Sequence, residues 1–200
     1  MKRREVLQQA ATILGYAITG PALAGILNGC KATPDVAFKP VFFSTDQATL
    51  VAALTEIIIP RTDTPGAIDA GVPMFIDRIL KEIYPKETQD AFLKGLSDFD
   101  SGARKSYGNA FTDCSEEEKI NYFKTQHDAV MDKSGSGYSG GFWASTENSS
   151  KPFMVELKEL TLLGFFTSEP GATKVLQYNQ VPGPYKGCVP VTEVGKTWAT

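Results

Sequence analysis

Histidine and cysteine are scarce in this 200-residue chain, which has one imidazole, His127, and three thiols, Cys30, Cys114 and Cys188. So few ligands, so far apart, exclude an ordinary structural zinc site, which takes four such side chains. No C-x-x-C and no C-x-x-C-H occurs, so there is no covalent haem attachment. The spacings G-x-G-x-x-G (Gly135–Gly140) and G-x-S-x-G (Gly137–Gly141) fall only inside a Gly/Ser-rich run. Neither follows a strand nor opens a helix, so neither a dinucleotide fingerprint nor a nucleophile elbow is present. A basic surplus is also missing. Lys and Arg number 20 against 23 Asp and Glu, a net charge of −3, so nothing on this scale neutralises nucleic-acid phosphates. No segment alternates as a strand does, and no 20–50-residue repeat is visible.

Charge is present, but unevenly placed. Lys2, Arg3 and Arg4 open the chain, and no charged residue occurs from Val6 to Cys30. A cationic start followed by an apolar stretch reads as an export signal. Arg3 and Arg4, followed by Glu5, Val6 and Leu7, resemble the twin-arginine pattern. The segment ends Leu27-Asn28-Gly29-Cys30, which resembles the lipobox of bacterial lipoproteins, with Cys30 as the acylated thiol. Two or three acyl chains anchor stably, since each buried CH₂ contributes about 0.8 kcal/mol. An uncleaved membrane anchor and a buried N-terminal helix are the competing readings. Gln8, Gln9, Thr12, Thr19 and Pro21 dilute the apolar run against the first. The expectation is therefore a signal over 1–29, a tether over 30–43 and a helical domain over 44–200. The signal holds Lys2, Arg3, Arg4 and Glu5, net +2, so the remainder carries −5.

The tether contains Pro34 and Pro40, which oppose helix. Ser44 and Gln47 form a capping box ahead of Leu50, Val51, Leu54, Ile57 and Ile58 at helical spacing, and Pro60 ends that helix. Arg61–Gly71 is a turn-rich loop. Pro73 opens a second helix with Phe75, Ile76, Ile79, Leu80 and Ile83 expected inward, ended by Pro85. A third helix is predicted over Glu87–Ser106, with Phe92, Leu96 and Phe99 inward. Ser115 and Glu118 cap a fourth, through about Met131, with Ile120, Phe123 and Val130 inward. Residues 133–151 break the pattern with Gly and Ser around Tyr138, Phe142 and Trp143. They read either as a linker whose aromatics fold back or as a partner-binding loop. A fifth helix is predicted from Pro152 to about Phe166, and a short sixth from Ser168 and Pro170 to near Leu176. The fold class is all-α: a bundle of five to six helices with an irregular, Pro/Gly-rich C-terminal arm.

Candidate chemistry is sparse. His127 lies beside Asp128 and faces Lys124 one turn back; it reads as a solvated or satisfied residue before it reads as a base. Asp63, Asp69 and Asp77 with Glu56 gather around the first loop. They could hold a cation or exchange protons, or simply cap the turn, with Asp63 bonding backbone N–H groups two residues on. Cys114 and Cys188 could pair, closing a loop worth about 4 kcal/mol. One could instead bond to a partner subunit, or both could stay free.

Two stretches carry a resemblance. LTEIIIPRTDTPGAIDAGVPMFIDRIL (Leu54–Leu80) resembles the N-terminal motif of the gluconate 2-dehydrogenase subunit 3 family, and ELTLLGFFTSEPGATKVLQYNQVPGPYKGCVP (Glu159–Pro190) resembles its C-terminal motif. Cys188 lies in that second motif. The resemblance implies a non-catalytic small subunit of a membrane-associated sugar or sugar-acid dehydrogenase. The partner it implies is a large FAD subunit of the glucose-methanol-choline type that lacks its own signal, with a cytochrome c subunit or another acceptor taking the electrons. No catalytic, cofactor-binding or metal residue is expected on this chain; FAD and haem c belong to partners. The expected location is periplasmic and membrane-anchored, after export by the twin-arginine route. Candidate partner contacts are Asp63 and Pro65 in the loop and Tyr185 and Pro190 in the arm. A lipid-anchored scaffold or solute-binding module unrelated to a dehydrogenase is the alternative.

Overall fold

The computed structural model describes residues 38–134, 151–178, 181, 183–184 and 187–199. These residues are all-α. Five long helices, α1 (Thr45–Ile58), α2 (Val72–Glu82), α3 (Lys86–Tyr107), α4 (Glu116–Ser134) and α5 (Phe153–Phe166), make the bundle. A 3₁₀ turn (Phe111–Asp113) links α3 to α4, and a four-residue helix, α6 (Val191–Val194), lies in the C-terminal arm. Among the described residues no helix is long and apolar enough to cross a membrane.

The helix starts follow local chemistry. Ser44 Oγ accepts the Gln47 N–H, and Gln47 returns its side-chain oxygen to the Ser44 N–H, so two orphan donors of α1 are satisfied together. Gly71 caps α2 in the left-handed conformation (φ 72°), with Pro following in the first turn, where no N–H is required. At α4, Ser115 donates its N–H and its hydroxyl to Glu118 and accepts the Glu118 N–H. Those two donated bonds, backbone first, hold the Glu118 carboxyl below its ordinary range. A carboxyl depressed in the folded state stabilises it above the unfolded pKa, and that contribution is lost as pH falls through the folded pKa. Ser115→Ala is therefore expected to lower the melting temperature at neutral pH and to shrink the difference between neutral and acid melts. Equal pH dependence in both proteins would show that the cap does not act this way.

α5 sits at the centre and touches α1, α2, α3 and α4. Phe153, Leu157, Leu160, Leu163 and Phe165 are apolar in its sequence, but burial extends around most of the helix: Met154, Val155, Glu156, Leu157, Leu160, Thr161, Gly164 and Phe165 are all buried. A helix enclosed by four others has few solvent-facing positions. Its polar residues are satisfied in place. Thr161 donates to the Leu157 carbonyl, and Glu156 accepts the Tyr84 hydroxyl at 2.6 Å. Burial, reinforced by that carboxylate, pushes the Tyr84 phenol well above its usual range, so it stays a donor.

An aromatic spine crosses the bundle. Phe43 meets Phe92, Phe92 meets Phe153, and Phe99 meets Phe153, Phe111 and Tyr122. Phe92, Leu96 and Phe99 face inward, as the spacing predicts. Two residues do not. Ile83 is 72% exposed, because it is the C-cap residue of α2 and the chain turns away at Tyr84 and Pro85. Ile120 is exposed because α4 turns Lys119 and Tyr122 inward, and Tyr122 donates to the Phe99 carbonyl. Lys119 buries its stem and sets its ammonium on Glu116.

The chain ends also depart from the expectation. Phe38–Phe43, read as the last of a tether, dock on the bundle: Phe43 is buried, and Phe38 and Phe42 pack against the core. The predicted sixth helix is a π turn, Gly171–Val175. The arm folds back on it in a parallel bridge, with Gln177 N–H donating to Thr197 O and Ala199 N–H to Gln177 O.

Candidate partner-binding face

The loop between α1 and α2 is held by two carboxylates from its own ends. Glu56, in the last turn of α1, accepts the N–H of Arg61 at 2.9 Å and of Ile68 at 3.0 Å. Asp69 accepts the Gly66 N–H and pairs with Arg61 at 3.4 Å. Backbone bonds from Ala67 to the Ile59 carbonyl and from Val72 to the Ala67 carbonyl close the turn. Gly66 permits this closure, since a Cβ there would collide with the Glu56 carboxylate and lie 2.7 Å from the Arg61 nitrogen. Gly66→Ala is thus expected to cost about 1–3 kcal/mol, the usual cost of overpacking a tight site. A urea melt checks it, and an unchanged midpoint would refute the pinched geometry.

The held loop presents Thr62, Asp63 and Thr64 outward with Pro65 half-buried. Together with Arg61, Asp69, Pro170 and Lys174 they line an open, polar groove of ≈360 Å³. Asp63 is exposed, and the turn-capping role suggested for it belongs to Glu56 and Asp69. Asp77 leaves the cluster altogether. It is buried on α2 and accepts three backbone N–H groups, those of Val41, Phe42 and Phe43. Three of the four clustered carboxylates therefore do structural work. Among the described residues no group of three or more His, Cys, Asp or Glu converges as a metal site.

The remaining candidates are separate. His127 bonds Asp128 at 3.2 Å and Lys158 at 3.2 Å, and stacks on Phe123. Cys114 and Cys188 are not brought together: both thiols are free, Cys114 buried and Cys188 exposed. Burial pushes the Cys114 thiol up, and its S–H points to the Ala110 carbonyl at 3.4 Å, so it is held in the unreactive form. Pro190 is exposed and opens α6 by accepting from Glu193 and Val194. Arg3, Arg4, Cys30, Tyr185 and the aromatics Tyr138, Phe142 and Trp143 lie outside the described residues.

What the fold does bring together is the two motif stretches. The first supplies the loop and α2; the second supplies the end of α5 and the π turn. They meet where Gly164 packs against Phe75 and where Pro170 and Lys174 face the loop. Phe75 and Gly164 also line a second, more apolar groove of ≈480 Å³ along α2. Sequence reasoning did not reach it, because it exists only once α2 and α5 are adjacent.

No curated protein and no solved structure matches the chain significantly. The sequence model described as Gluconate 2-dehydrogenase subunit 3 matches residues 45–183, from the first residue of α1 past the π turn. With more than two thirds of its length inside that match, including all of Leu54–Leu80 and the second stretch as far as Gly183, the chain belongs to the gluconate 2-dehydrogenase subunit 3 family.

Proposed function

We propose that this chain is the non-catalytic small subunit of a membrane-associated FAD-dependent gluconate or sugar dehydrogenase complex. On this reading it supports folding, export and anchoring of a flavoprotein subunit of the glucose-methanol-choline type, with a cytochrome c subunit as the next electron carrier. The observation that carries the reading is the meeting of the two family-matching stretches on one exposed face, where Asp63, Pro65 and the adjoining α2 surface offer a site for another chain. The family's own description as a subunit supports it. Glu56 and Asp69 are committed to holding the loop backbone, and among the described residues the exposed Asp63 has no second carboxylate beside it free for turnover, which suits recognition.

Export and anchoring rest on sequence. Arg3 and Arg4 supply a twin-arginine signal, and Cys30 supplies the lipidated residue that keeps the mature chain at the periplasmic face of a membrane. The exported cargo is a folded flavoprotein with no signal of its own. A strain lacking this gene is expected to retain its flavoprotein, or lose it to degradation, in the cytoplasm. Active flavoprotein in the periplasmic fraction of that strain would overturn the proposal. Replacing Arg3 and Arg4 by Lys is expected to strand both subunits together, and replacing Cys30 by Ser to release the complex from the membrane.

A further inference from the structure

We infer that the groove between α2 and the end of α5 receives an amphipathic helix of the flavoprotein subunit. That helix sets a carboxylate against Arg78 and an ammonium against Glu82, beside an apolar stripe. The inference rests on the reading of the chain as a dehydrogenase subunit.

The groove is built for apolar side chains. Phe75, Ile79 and Gly164 line it together with Met74, 40% exposed, and Ile83, 72% exposed. Its depth at α5 depends on Gly164, where a Cβ would come 2.6 Å from the Phe75 ring. Two large apolar side chains open to water in one concavity offer adjacent anchor points to a partner's apolar side chains. Gly71 to Ile83 spans thirteen residues and twelve rises, about 18 Å of helix at 1.5 Å per residue. That length suits a partner helix of three turns with anchors at i, i+4 and i+7.

Charge narrows the occupant. Arg78 and Glu82 are four residues apart on α2, and both line the groove. Neither makes an ion pair or side-chain hydrogen bond with any described residue. Elsewhere the same base-then-acid order at i,i+4 does close, in Lys86–Asp90 and Lys94–Asp98. Arg78 and Glu82 stay apart, each open to an opposite charge from outside. A parallel helix meeting them carries acid at i and base at i+4, the order that also supports its own fold. A second copy of this chain fits less well: a two-fold axis would set groove on groove and leave the concavity unfilled.

The test is co-expression of the full chain with the FAD subunit of its complex, purification from solubilised membranes, and flavin absorbance per chain. Ile83→Asp and Arg78→Glu are each expected to weaken retention of the flavoprotein about tenfold or more, as loss of a central anchor does. Ile120→Asp, an equally drastic change on exposed α4 surface, is expected to retain it. Thermal melts matching the unaltered protein confirm that the variants fold. Folded Ile83→Asp and Arg78→Glu chains that retain flavin normally would overturn the inference and leave the subunit reading standing. An unaltered chain that retains no flavoprotein would overturn both. A dimer of the unaltered chain that Ile83→Asp converts to monomer would assign the groove to a second copy and overturn the inference.

Discussion

Phe99→Ala is expected to destabilise the folded body by about 3–5 kcal/mol, the range for deleting a buried aromatic side chain. In a domain of this size each kcal/mol moves the melting temperature by about 2–4 °C, so the shift exceeds about 6 °C. The ring lies on α3 and is nearly buried. It touches four other rings: Phe111 at 5.1 Å between centroids, Tyr122 at 4.9 Å, Phe123 at 6.5 Å and Phe153 at 6.3 Å. Three of these contacts are edge-on, which adds to area burial. The four partners come from the 3₁₀ turn, α4 and α5, so one deletion loosens three elements against α3. Collapse into the space is opposed by Tyr122, whose hydroxyl is tied to the Phe99 carbonyl at 3.1 Å. That bond uses backbone and survives the substitution. Phe99→Leu is expected to cost less than half as much, since it retains most of the volume. A loss under about 1 kcal/mol for Phe99→Ala in urea would mean that the spine repacks freely.

Much of the fold was legible because its signals are local. Ser44 with Gln47 and Ser115 with Glu118 mark two helix starts through side chains three residues apart, and the structure makes both sets of bonds. Pro60 and Pro85 lie where the chain leaves α1 and α2. What was not legible depends on partners distant in sequence. Apolar residues are plentiful along α5 in the sequence, but only the assembled bundle shows that four helices surround it. Ile83 and Ile120 fit the apolar period, yet Tyr122 and Lys119 take the inward side of α4, and Ile83 falls past the last turn of α2. The arm has the Pro and Gly of an extended tail, yet Gln177 pairs with Trp198 across twenty residues.

The candidate site follows the same division. Asp63 and Pro65 could be placed on a loop from turn residues alone, and there Asp63 is exposed and Pro65 half-buried at the groove. The roles of Glu56 and Asp69 as backbone acceptors required the closed turn. Arg78 and Met74 gave no sequence signal as contact residues, since a charged and an apolar residue on an amphipathic helix are ordinary. They gained meaning only when Gly164 brought α5 against Phe75 and left a concavity beside them.

Asp77 carries the second large effect. Asp77→Ala is expected to destabilise the body by about 3 kcal/mol, because removing a buried charged acceptor leaves its donors unpaired. Its two oxygens take three backbone N–H groups: Val41 at 2.8 Å, Phe42 at 3.0 Å and Phe43 at 2.8 Å. Phe43 is buried, so its N–H has no ready access to water once the carboxylate is gone. The full penalty is avoided only if Phe38–Phe43 lift off the bundle, which exposes Phe43 and gives up its contact with Phe92. Either route weakens the same six residues. Asp77→Asn is expected to fall between, because the amide keeps one acceptor oxygen but turns a donor toward a donor. Limited proteolysis provides the second readout: cleavage within 38–43 should accelerate in Asp77→Ala well before the helices melt. If Cys30 anchors the chain as proposed, this clamp joins the anchored end to the folded body. Its loss should then release helical fragments from membranes under mild protease, while Phe99→Ala, equally unstable but with the clamp intact, should not. Fragments released at the same rate from both variants would show that Asp77 acts through global stability alone.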